Sequence, residues 1–334
     1  MPDTSNALIT GASLQDHAAI GKAAAIPVSA PTPVVSVSPV VLPAPGRAVD
    51  LQVRVSAPTT GQGLPVILLS HGFGASNNLT SVNGYGPLAN FYAAHGFVVI
   101  QPTHLSSKSL GLDPDGPEGP LYWRSRAEDM YFIVDNLDQI EAAVSGLGGH
   151  LDQSRIAAVG HSLGGHTVSM LAGMRVTDPK TGEEVNLTDT RVKTCVVFGA
   201  PGDGSDLTEW ASEHYPVLRN NSFAEMKTPA LVVNGDKDVN LRFSARPDWR
   251  ADAYRLSPGP KWLLTVAGGE HMFGGISGYD AGETTDESPE RVALVQRLTW
   301  AYLRTALYPE DPAWGAACAA LAAEAEPLGS VESK

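Results

Sequence analysis

Six short apolar runs recur along the chain, and segments with a different apolar spacing lie between them. Continuous runs of this length are typical of strands that are buried on both faces of a parallel sheet. In the clearest intervening segment, Arg126–Val144, apolar residues recur at spacings of three and four, which indicates a helix. Alternating strands and helices predict an α/β fold with a mostly parallel central sheet and helices on both faces. The six runs are Pro65–Leu69, Phe97–Gln101, Arg155–Val159, Val192–Phe198, Ala230–Asn234 and Trp262–Val266.

The segment before these runs has a different pattern. Apolar and polar residues alternate over Val49–Val55, and this period of two predicts an antiparallel strand with one face in water. The run Val34–Leu42 is its expected partner. We therefore expect a leader over residues 1–33 and a single domain over residues 34–334 that opens with antiparallel strands.

Two long segments, 106–123 and 202–222, are expected to be loops over one face of the sheet. Both follow predicted strands, so they should cover the sheet edge at which active sites of such folds open. Near the C-terminus, Pro289–Leu307 predicts a helix, and the alanine-rich stretch Ala316–Ala325 predicts a shorter one.

The charge balance of the chain limits its partners. With 23 basic and 36 acidic residues the net charge is −13, so the chain repels polyanions and no nucleic acid partner is expected. The longest uncharged stretch, Ala23–Gly46, contains six prolines, so no membrane span is expected. The start of the sequence lacks a secretory signal, which predicts a cytoplasmic protein, although a processed secreted form would look the same. The sequence leaves the oligomeric state open.

Residues 160–164 read Gly-His-Ser-Leu-Gly, a G-x-S-x-G pattern. The pattern directly follows the run Arg155–Val159 and precedes apolar residues with helical spacing. A strand, a sharp turn and a helix in this order form a nucleophile elbow, whose glycines let the strand and the helix approach closely. We therefore predict that Ser162 is a nucleophile at a helix N-terminus, where backbone N–H groups favour negative charge.

An acyl-transfer serine also needs hydrogen-bond donors for the oxyanion. Residues 71–74 read His-Gly-Phe-Gly shortly after the run Pro65–Leu69, and glycines there allow backbone amides to turn toward the serine. The N–H groups of Phe73 and Leu163 are the predicted oxyanion donors. A phosphate-binding loop is excluded, because no Gly-Lys-Ser/Thr sequence follows.

The base and the acid are expected downstream of the serine, with the acid first, as in enzymes of this topology. Among nine histidines, His271 lies in a glycine-flanked loop after the last apolar run and is the predicted base. Asp238 follows the preceding run and is the predicted acid, because a carboxylate that accepts from the imidazole fixes its tautomer. Asp203, Asp206 and Asp236 stay open as alternatives for the acid.

These motifs carry a family resemblance that extends from about Val34 to Leu307. The chain resembles the α/β-hydrolase superfamily in segments 71–74, 160–165 and 235–238 and in His271. Within the superfamily it looks most like the group of dienelactone-hydrolase-like proteins, platelet-activating-factor acetylhydrolases, chlorophyllases and cutinase-type polyester hydrolases. Dienelactone hydrolase itself uses a cysteine nucleophile, whereas this chain has a serine, so its substrate is not implied here.

The predicted function is hydrolysis of a small-molecule carboxylic ester through an acyl-enzyme intermediate. Thioester, amide or lactone hydrolysis would use the same groups, and a non-catalytic binding module of the same fold is the alternative from another class. No metal or organic cofactor is expected, because the prolines among the acidic residues of 113–118 favour a surface loop over a cation site. The sequence does not define the acyl and alcohol groups. The residues expected to contact substrate are His104, Trp123, Trp210, Tyr215 and Phe273.

Overall fold

The computed structural model describes residues 18–334 apart from Asn78 and Pro117. Residues 1–17, which make up half of the expected leader, lie outside the described residues. In the remainder of the leader, Gly21–Ala25 forms a short 3₁₀ helix. Ala23 and Ile26 are buried, and they share a core with apolar residues of the C-terminal part of the chain.

Nine strands form one central sheet, and three short strands form a second sheet beside it. In chain order the strands are β1 (Val34–Leu42), β2 (Leu51–Pro58), β3 (Leu64–Ser70), β4 (Val98–Pro102), β5 (Leu151–His161), β6 (Arg175–Thr177), β7 (Glu184–Val185), β8 (Val192–Phe198), β9 (Asn221–Ser222), β10 (Ala230–Gly235), β11 (Lys261–Val266) and β12 (Gly329–Ser333). The order in the central sheet is β1-β2-β4-β3-β5-β8-β10-β11-β12, and β7-β6-β9 is the order in the small sheet.

The central sheet is mixed and mostly parallel. The pairs β1–β2, β2–β4 and β11–β12 are antiparallel, whereas every pair from β4 through β3, β5, β8 and β10 to β11 is parallel. The prediction of an α/β fold with a mostly parallel sheet and antiparallel N-terminal strands is therefore confirmed.

Burial on both faces explains why the apolar runs are continuous. Every residue of β3, β4 and β10 is buried. Along β3, Val66 and Leu68 belong to the core on one face of the sheet, and Ile67 and Leu69 belong to the core on the other face. Strand side chains alternate between faces, so a strand covered on both faces favours an apolar residue at nearly every position.

Helices cover both faces of the sheet. They are α1 (Gly86–Ala94), α2 (Trp123–Asp135), α3 (Leu137–Ala143), α4 (Leu163–Leu171), α5 (Glu209–His214), α6 (Asp252–Arg255), α7 (Pro289–Leu307) and α8 (Ala313–Ala323). The Ser288 side chain caps α7 by accepting a hydrogen bond from the Arg291 N–H. Within the described residues, none of these helices has the length and apolar character needed to cross a membrane.

Three features differ from the sequence-based expectation. The segment 202–222, expected to be a loop, contains α5 and β9, because its short helix has too few residues to show a helical apolar pattern. The helix expected within Arg126–Val144 is two helices, because Asn136 leaves the helical conformation between them. The sequence does not predict the strand β12, since all of its side chains are at least partly exposed and it contains only one large apolar residue, Val331. A short polar strand at a sheet edge has no apolar pattern by which it could be recognised.

The parallel strands place several loops at one edge of the sheet. Since β3, β5, β8, β10 and β11 run in the same direction, the loops that follow their carboxyl ends are neighbours. These loops contain Gly72, Ser162, Asp238 and His271. The four predicted motifs therefore lie at the same edge.

Candidate active site

Ser162 lies in the sharp turn between β5 and α4. Its backbone has φ +55° and ψ −119°, a conformation that residues other than glycine rarely adopt. The glycines around it are required by close packing: a Cβ at Gly160 would lie 2.1 Å from the carbonyl oxygen of Gly164, and one at Gly164 would lie 2.0 Å from that of Ser70. Such a strained turn holds the serine hydroxyl out of the strand, at the N-terminus of a helix.

Asp238 and His271 come together at the ends of β10 and β11. The Asp238 Oδ2 atom lies 2.9 Å from His271 Nδ1. A carboxylate can only accept there, so the Nδ1 atom carries the proton and the Nε2 atom is free to accept one. The Asp238 side chain is 2% exposed, whereas the His271 side chain is 34% exposed, so the imidazole is the accessible member of the pair.

The other three candidate aspartates are engaged elsewhere. Asp203 caps a 3₁₀ turn by accepting from Ser205 N–H. Asp206 forms an ion pair with an arginine, at 3.0 Å, and Asp236 accepts from a backbone N–H at 2.8 Å. Among these four carboxylates, only Asp238 is bonded to His271 in the described part of the chain.

Arg250 is a partner of Asp238 that the sequence analysis did not identify. Its Nε atom lies 2.8 Å from Asp238 Oδ1, and both side chains are buried. Burial raises the pKa of Asp238, but the charge of Arg250 and the contact with His271 outweigh it and lower the pKa to about 2. Burial and then Arg250 lower the pKa of His271 despite the opposing effect of Asp238. The pair is thus an ionised carboxylate beside a neutral imidazole at neutral pH.

Ser162 and His271 line a common cavity of about 160 Å³. No hydrogen bond joins the Ser162 hydroxyl to the His271 ring in the described part of the chain, and such bonds often tighten only around a substrate. The predicted oxyanion residues Phe73 and Leu163 line the same cavity, and Leu163 is the first residue of α4. The remaining lining residues are Leu121, Pro201, Tyr215, Leu218, Asn240, Phe243, Trp249 and Arg250.

The five residues expected to contact substrate lie at different positions relative to the cavity beside Ser162. Tyr215 lines the cavity beside Ser162. Trp123 lines a neighbouring cavity of about 210 Å³, and Trp210 stands next to Tyr215 with the ring centroids 5.8 Å apart. Phe273 is fully buried in the core, and so is His104, so neither reaches the cavity.

His104 belongs to a buried polar network next to the loop of residues 71–74. Its Nδ1 atom is bonded to Asp129 at 2.9 Å, and its Nε2 atom is bonded to the Ser70 hydroxyl, also at 2.9 Å. The backbone N–H of His104 donates to His71 Nε2 at 3.1 Å. These groups are buried and cannot exchange partners with water, so the network fixes the end of β3 and the loop that follows it.

Arg126 completes this network and joins it to α4. Its guanidinium is fully buried and donates to the carbonyl oxygen of His71 and to the hydroxyls of Ser106 and Thr167. Burial lowers the pKa of Arg126 to about 9. Arg126 and Asp129 could have been suspected from the sequence, because they are charged residues three apart within an otherwise apolar helix face.

The site combines a serine at a helix N-terminus, a neutral histidine held by an ionised aspartate, and a cavity that is also lined by Phe73 and Leu163, the residues predicted to supply the oxyanion amides. Groups of this kind are suited to nucleophilic attack on a carbonyl carbon and to stabilising the oxyanion that forms. The described residues contain no cluster of three or more side chains able to hold a metal ion. No protein-family model matches this chain, and no curated protein matches it either.

Proposed function

We propose that this protein is a serine hydrolase of the α/β-hydrolase superfamily that cleaves carboxylic esters. The observation that carries the proposal is the hydrogen bond between Asp238 and His271 at a cavity that Ser162 also lines. The positive φ of Ser162 supports it, because a strained non-glycine residue persists only where its surroundings hold it in place, as they do at a nucleophile elbow.

In the proposed reaction, the Ser162 hydroxyl attacks the ester carbonyl while His271 Nε2 accepts its proton. The N–H groups of Phe73 and Leu163 stabilise the oxyanion of the tetrahedral intermediate, and Asp238 stabilises the imidazolium. His271 then donates its proton to the leaving alcohol, which departs as the acyl-enzyme forms. A water molecule, deprotonated by His271, hydrolyses the acyl-enzyme and releases the acid.

The cavity supports a compact substrate. A volume of about 160 Å³ is close to that of the engineered apolar cavity of about 150 Å³ that binds benzene. Aromatic rings form much of its wall, with Tyr215 and Phe243 stacked at a centroid distance of 5.5 Å and Phe73 edge-on to Tyr215. We therefore propose that short acyl groups or single aromatic rings are preferred over long acyl chains.

A fluorophosphonate probe tests the proposed class of enzyme. We expect stoichiometric labelling of the wild-type protein and none of the Ser162→Ala variant. Ser169→Ala is the matched control, because Ser169 is a buried serine of α4, the helix that follows Ser162, and its hydroxyl donates to a backbone carbonyl. Failure of the folded wild-type protein to react would favour the binding module. For a reactive protein, a panel of p-nitrophenyl esters, thioesters, anilides and lactones identifies the bond that is cleaved.

The state of His271 predicts the pH dependence of the reaction. Protonated His271 cannot accept the serine proton, so kcat/KM should fall as the pH drops through the pKa of His271. Because burial and Arg250 lower that pKa, the midpoint should lie below the ordinary value of about 6.5. The Asp238 carboxylate stays ionised throughout, since its pKa is about 2. A rate profile measured from pH 4 to 9 checks the midpoint.

The Arg250→Gln variant tests the same pH dependence a second time. Replacing it with glutamine removes a positive charge that disfavours protonation of His271, so the midpoint should move to higher pH. A flat profile in the wild-type protein, or a midpoint that moves to lower pH in Arg250→Gln, would contradict the role given to His271.

Tyr215 is expected to limit the size of the substrate. Together with Leu121 it lines both the cavity beside Ser162 and the neighbouring cavity of about 210 Å³. Tyr215→Ala should connect the two spaces and raise kcat/KM for p-nitrophenyl octanoate relative to the acetate by about tenfold, the lower end of what one methylene is worth in a pocket. Tyr279→Ala is the control, because Tyr279 is exposed and lines neither cavity. An unchanged ratio in Tyr215→Ala would remove Tyr215 from this role.

A further inference from the structure

A chain of hydrogen bonds connects the loop of residues 71–74, which holds the proposed oxyanion donor Phe73, to the loop that holds His271. The chain passes through two buried side chains, Tyr85 and His161. The Gly72 N–H donates to Tyr85 Oη at 3.0 Å, and Tyr85 Oη lies 2.7 Å from His161 Nδ1. His161 Nε2 lies 2.8 Å from the backbone carbonyl oxygen of His271. Both side chains are buried, with Tyr85 0% and His161 1% exposed.

The chemistry of these groups permits only one direction for each bond. A carbonyl oxygen can only accept, so His161 Nε2 carries the proton and donates to His271. Burial, followed by the neighbouring His271 ring, holds the pKa of His161 well below its usual value, so the ring is neutral and its Nδ1 atom is an acceptor. The Tyr85 hydroxyl must therefore donate to Nδ1, and its oxygen accepts from Gly72.

Close packing around Gly72 adds a steric constraint. A Cβ at Gly72 would lie 3.0 Å from Tyr85 Oη, 3.4 Å from His161 Nδ1 and 3.4 Å from Ser162 Cβ. The backbone of Gly72 therefore lies directly against Tyr85 and His161 as well as the nucleophile. Its neighbour Phe73 supplies one of the two oxyanion amides in the proposed reaction, so any shift of Gly72 moves that amide.

Tyr85 is itself held firmly in place. It precedes α1 with φ +59°, an uncommon conformation for a residue other than glycine, and its N–H donates to the carbonyl oxygen of Ser277 at 2.9 Å. Its ring contacts the His161 ring at a centroid distance of 5.7 Å, and the His161 ring contacts that of His271 at 4.7 Å. A strained backbone of this kind persists only where the surrounding contacts determine it.

We propose that Tyr85, acting through His161, is a positioning residue that sets the oxyanion amide of Phe73 relative to His271. The inference rests on the proposed hydrolase function and extends it to a residue that lines no part of the cavity. Oxyanion donors act mainly on the charge that develops in the transition state. A displaced donor should therefore lower kcat and leave KM almost unchanged.

The Tyr85→Phe variant removes only the hydroxyl and leaves the ring. Complete removal of an oxyanion donor costs about 10² to 10³ in kcat, so a displaced donor should cost about tenfold or more. Tyr92→Phe is the matched control, because Tyr92 is also fully buried and its hydroxyl pairs with Thr299 at 2.7 Å, away from the site. Tyr85→Phe loses two buried hydrogen bonds and Tyr92→Phe loses one, so the melting temperature should fall in both variants, whereas kcat should fall only in Tyr85→Phe.

His161→Gln tests the same chain from its other side. A glutamine amide can replace the donor at Nε2 but offers no acceptor at the position of Nδ1, so kcat should fall as it does in Tyr85→Phe. Because the two residues act in one chain, the double variant should lose little more than either single variant. His161→Gln also tests the proposal if Tyr85→Phe does not fold.

The outcomes separate this inference from the function on which it rests. A wild-type protein that neither hydrolyses esters nor reacts with the fluorophosphonate probe would overturn the proposed function, and the inference with it. An active wild-type protein whose kcat is the same in Tyr85→Phe as in Tyr92→Phe would overturn the inference alone. A loss confined to KM, or fully additive losses in the double variant, would also overturn it.

Discussion

Replacing Ser162 with alanine is expected to lower kcat for ester hydrolysis by about 10⁶, as does loss of the nucleophile in a serine protease of the subtilisin type. The hydroxyl is the group that forms the acyl-enzyme, and no other group in the proposed reaction can take its place. Alanine keeps the Cβ atom and the backbone of the turn, so the fold and the melting temperature should be retained. Steady-state kinetics and thermal unfolding check the two expectations.

Ser169→Ala is the control for this measurement as well. It makes the same substitution on α4, but the Ser169 hydroxyl donates to the Gly165 carbonyl oxygen at 2.8 Å and does not line the cavity. Its kcat should stay close to that of the wild-type protein. If Ser162→Ala kept even a tenth of the wild-type kcat, Ser162 could not be the nucleophile.

The strands could be predicted from the sequence because the sheet is buried on both faces. The run Val192–Phe198 coincides with β8, and Ala230–Asn234 ends one residue before β10 does. Such strands are apolar at most positions, so the segment itself carries the signal and no distant residue is needed to recognise it. The helix Pro289–Leu307 also has a local signal, because a capping serine and a proline mark its start.

The polar edge strand β12 and the helix break at Asn136 have no comparable pattern in the sequence. In the part of the chain that the structure describes, β12 pairs with one neighbour, β11, so its residues need not be apolar. The break at Asn136 interrupts a helical apolar pattern that continues on both sides of it, and spacing alone does not register such a break. Both features depend on what the segment packs against rather than on the segment itself.

The candidate site also contains residues that the sequence predicts and residues that it does not. Ser162, Asp238 and His271 could be named because each lies in a short glycine-containing segment directly after an apolar strand. Arg250 and Tyr85 could not be named, because their roles consist of contacts with residues distant in the sequence, such as the ion pair with Asp238. His104 also follows a strand, but its contacts with Ser70 and Asp129 direct it into the interior. Position at a strand end therefore brings a residue near the site without deciding which way its side chain points.

Replacing Asp238 with asparagine is expected to lower kcat by about 10⁴, the loss caused by the equivalent change in a Ser-His-Asp protease. In the wild-type protein the Asp238 carboxylate accepts from His271 Nδ1 at 2.9 Å and keeps Nε2 free of a proton. An amide group would donate to Nδ1 instead and move the proton to Nε2, where it blocks transfer from Ser162. The negative charge that stabilises the imidazolium would also be lost. The amide oxygen can still accept from Arg250, so the folded protein should be recovered for kinetics.

The three other aspartates give matched controls for this last prediction. Asp236 accepts from the Gly268 N–H and Asp203 from the Ser205 N–H, while Asp206 pairs with an arginine at the surface. Because none of them is bonded to His271 within the described residues, their asparagine variants should keep nearly normal kcat. The four variants are measured side by side, with melting temperatures to separate lost stability from lost chemistry. A nearly normal Asp238→Asn enzyme, or a loss of about 10⁴ in one of the other three, would transfer the role of the acid to another aspartate.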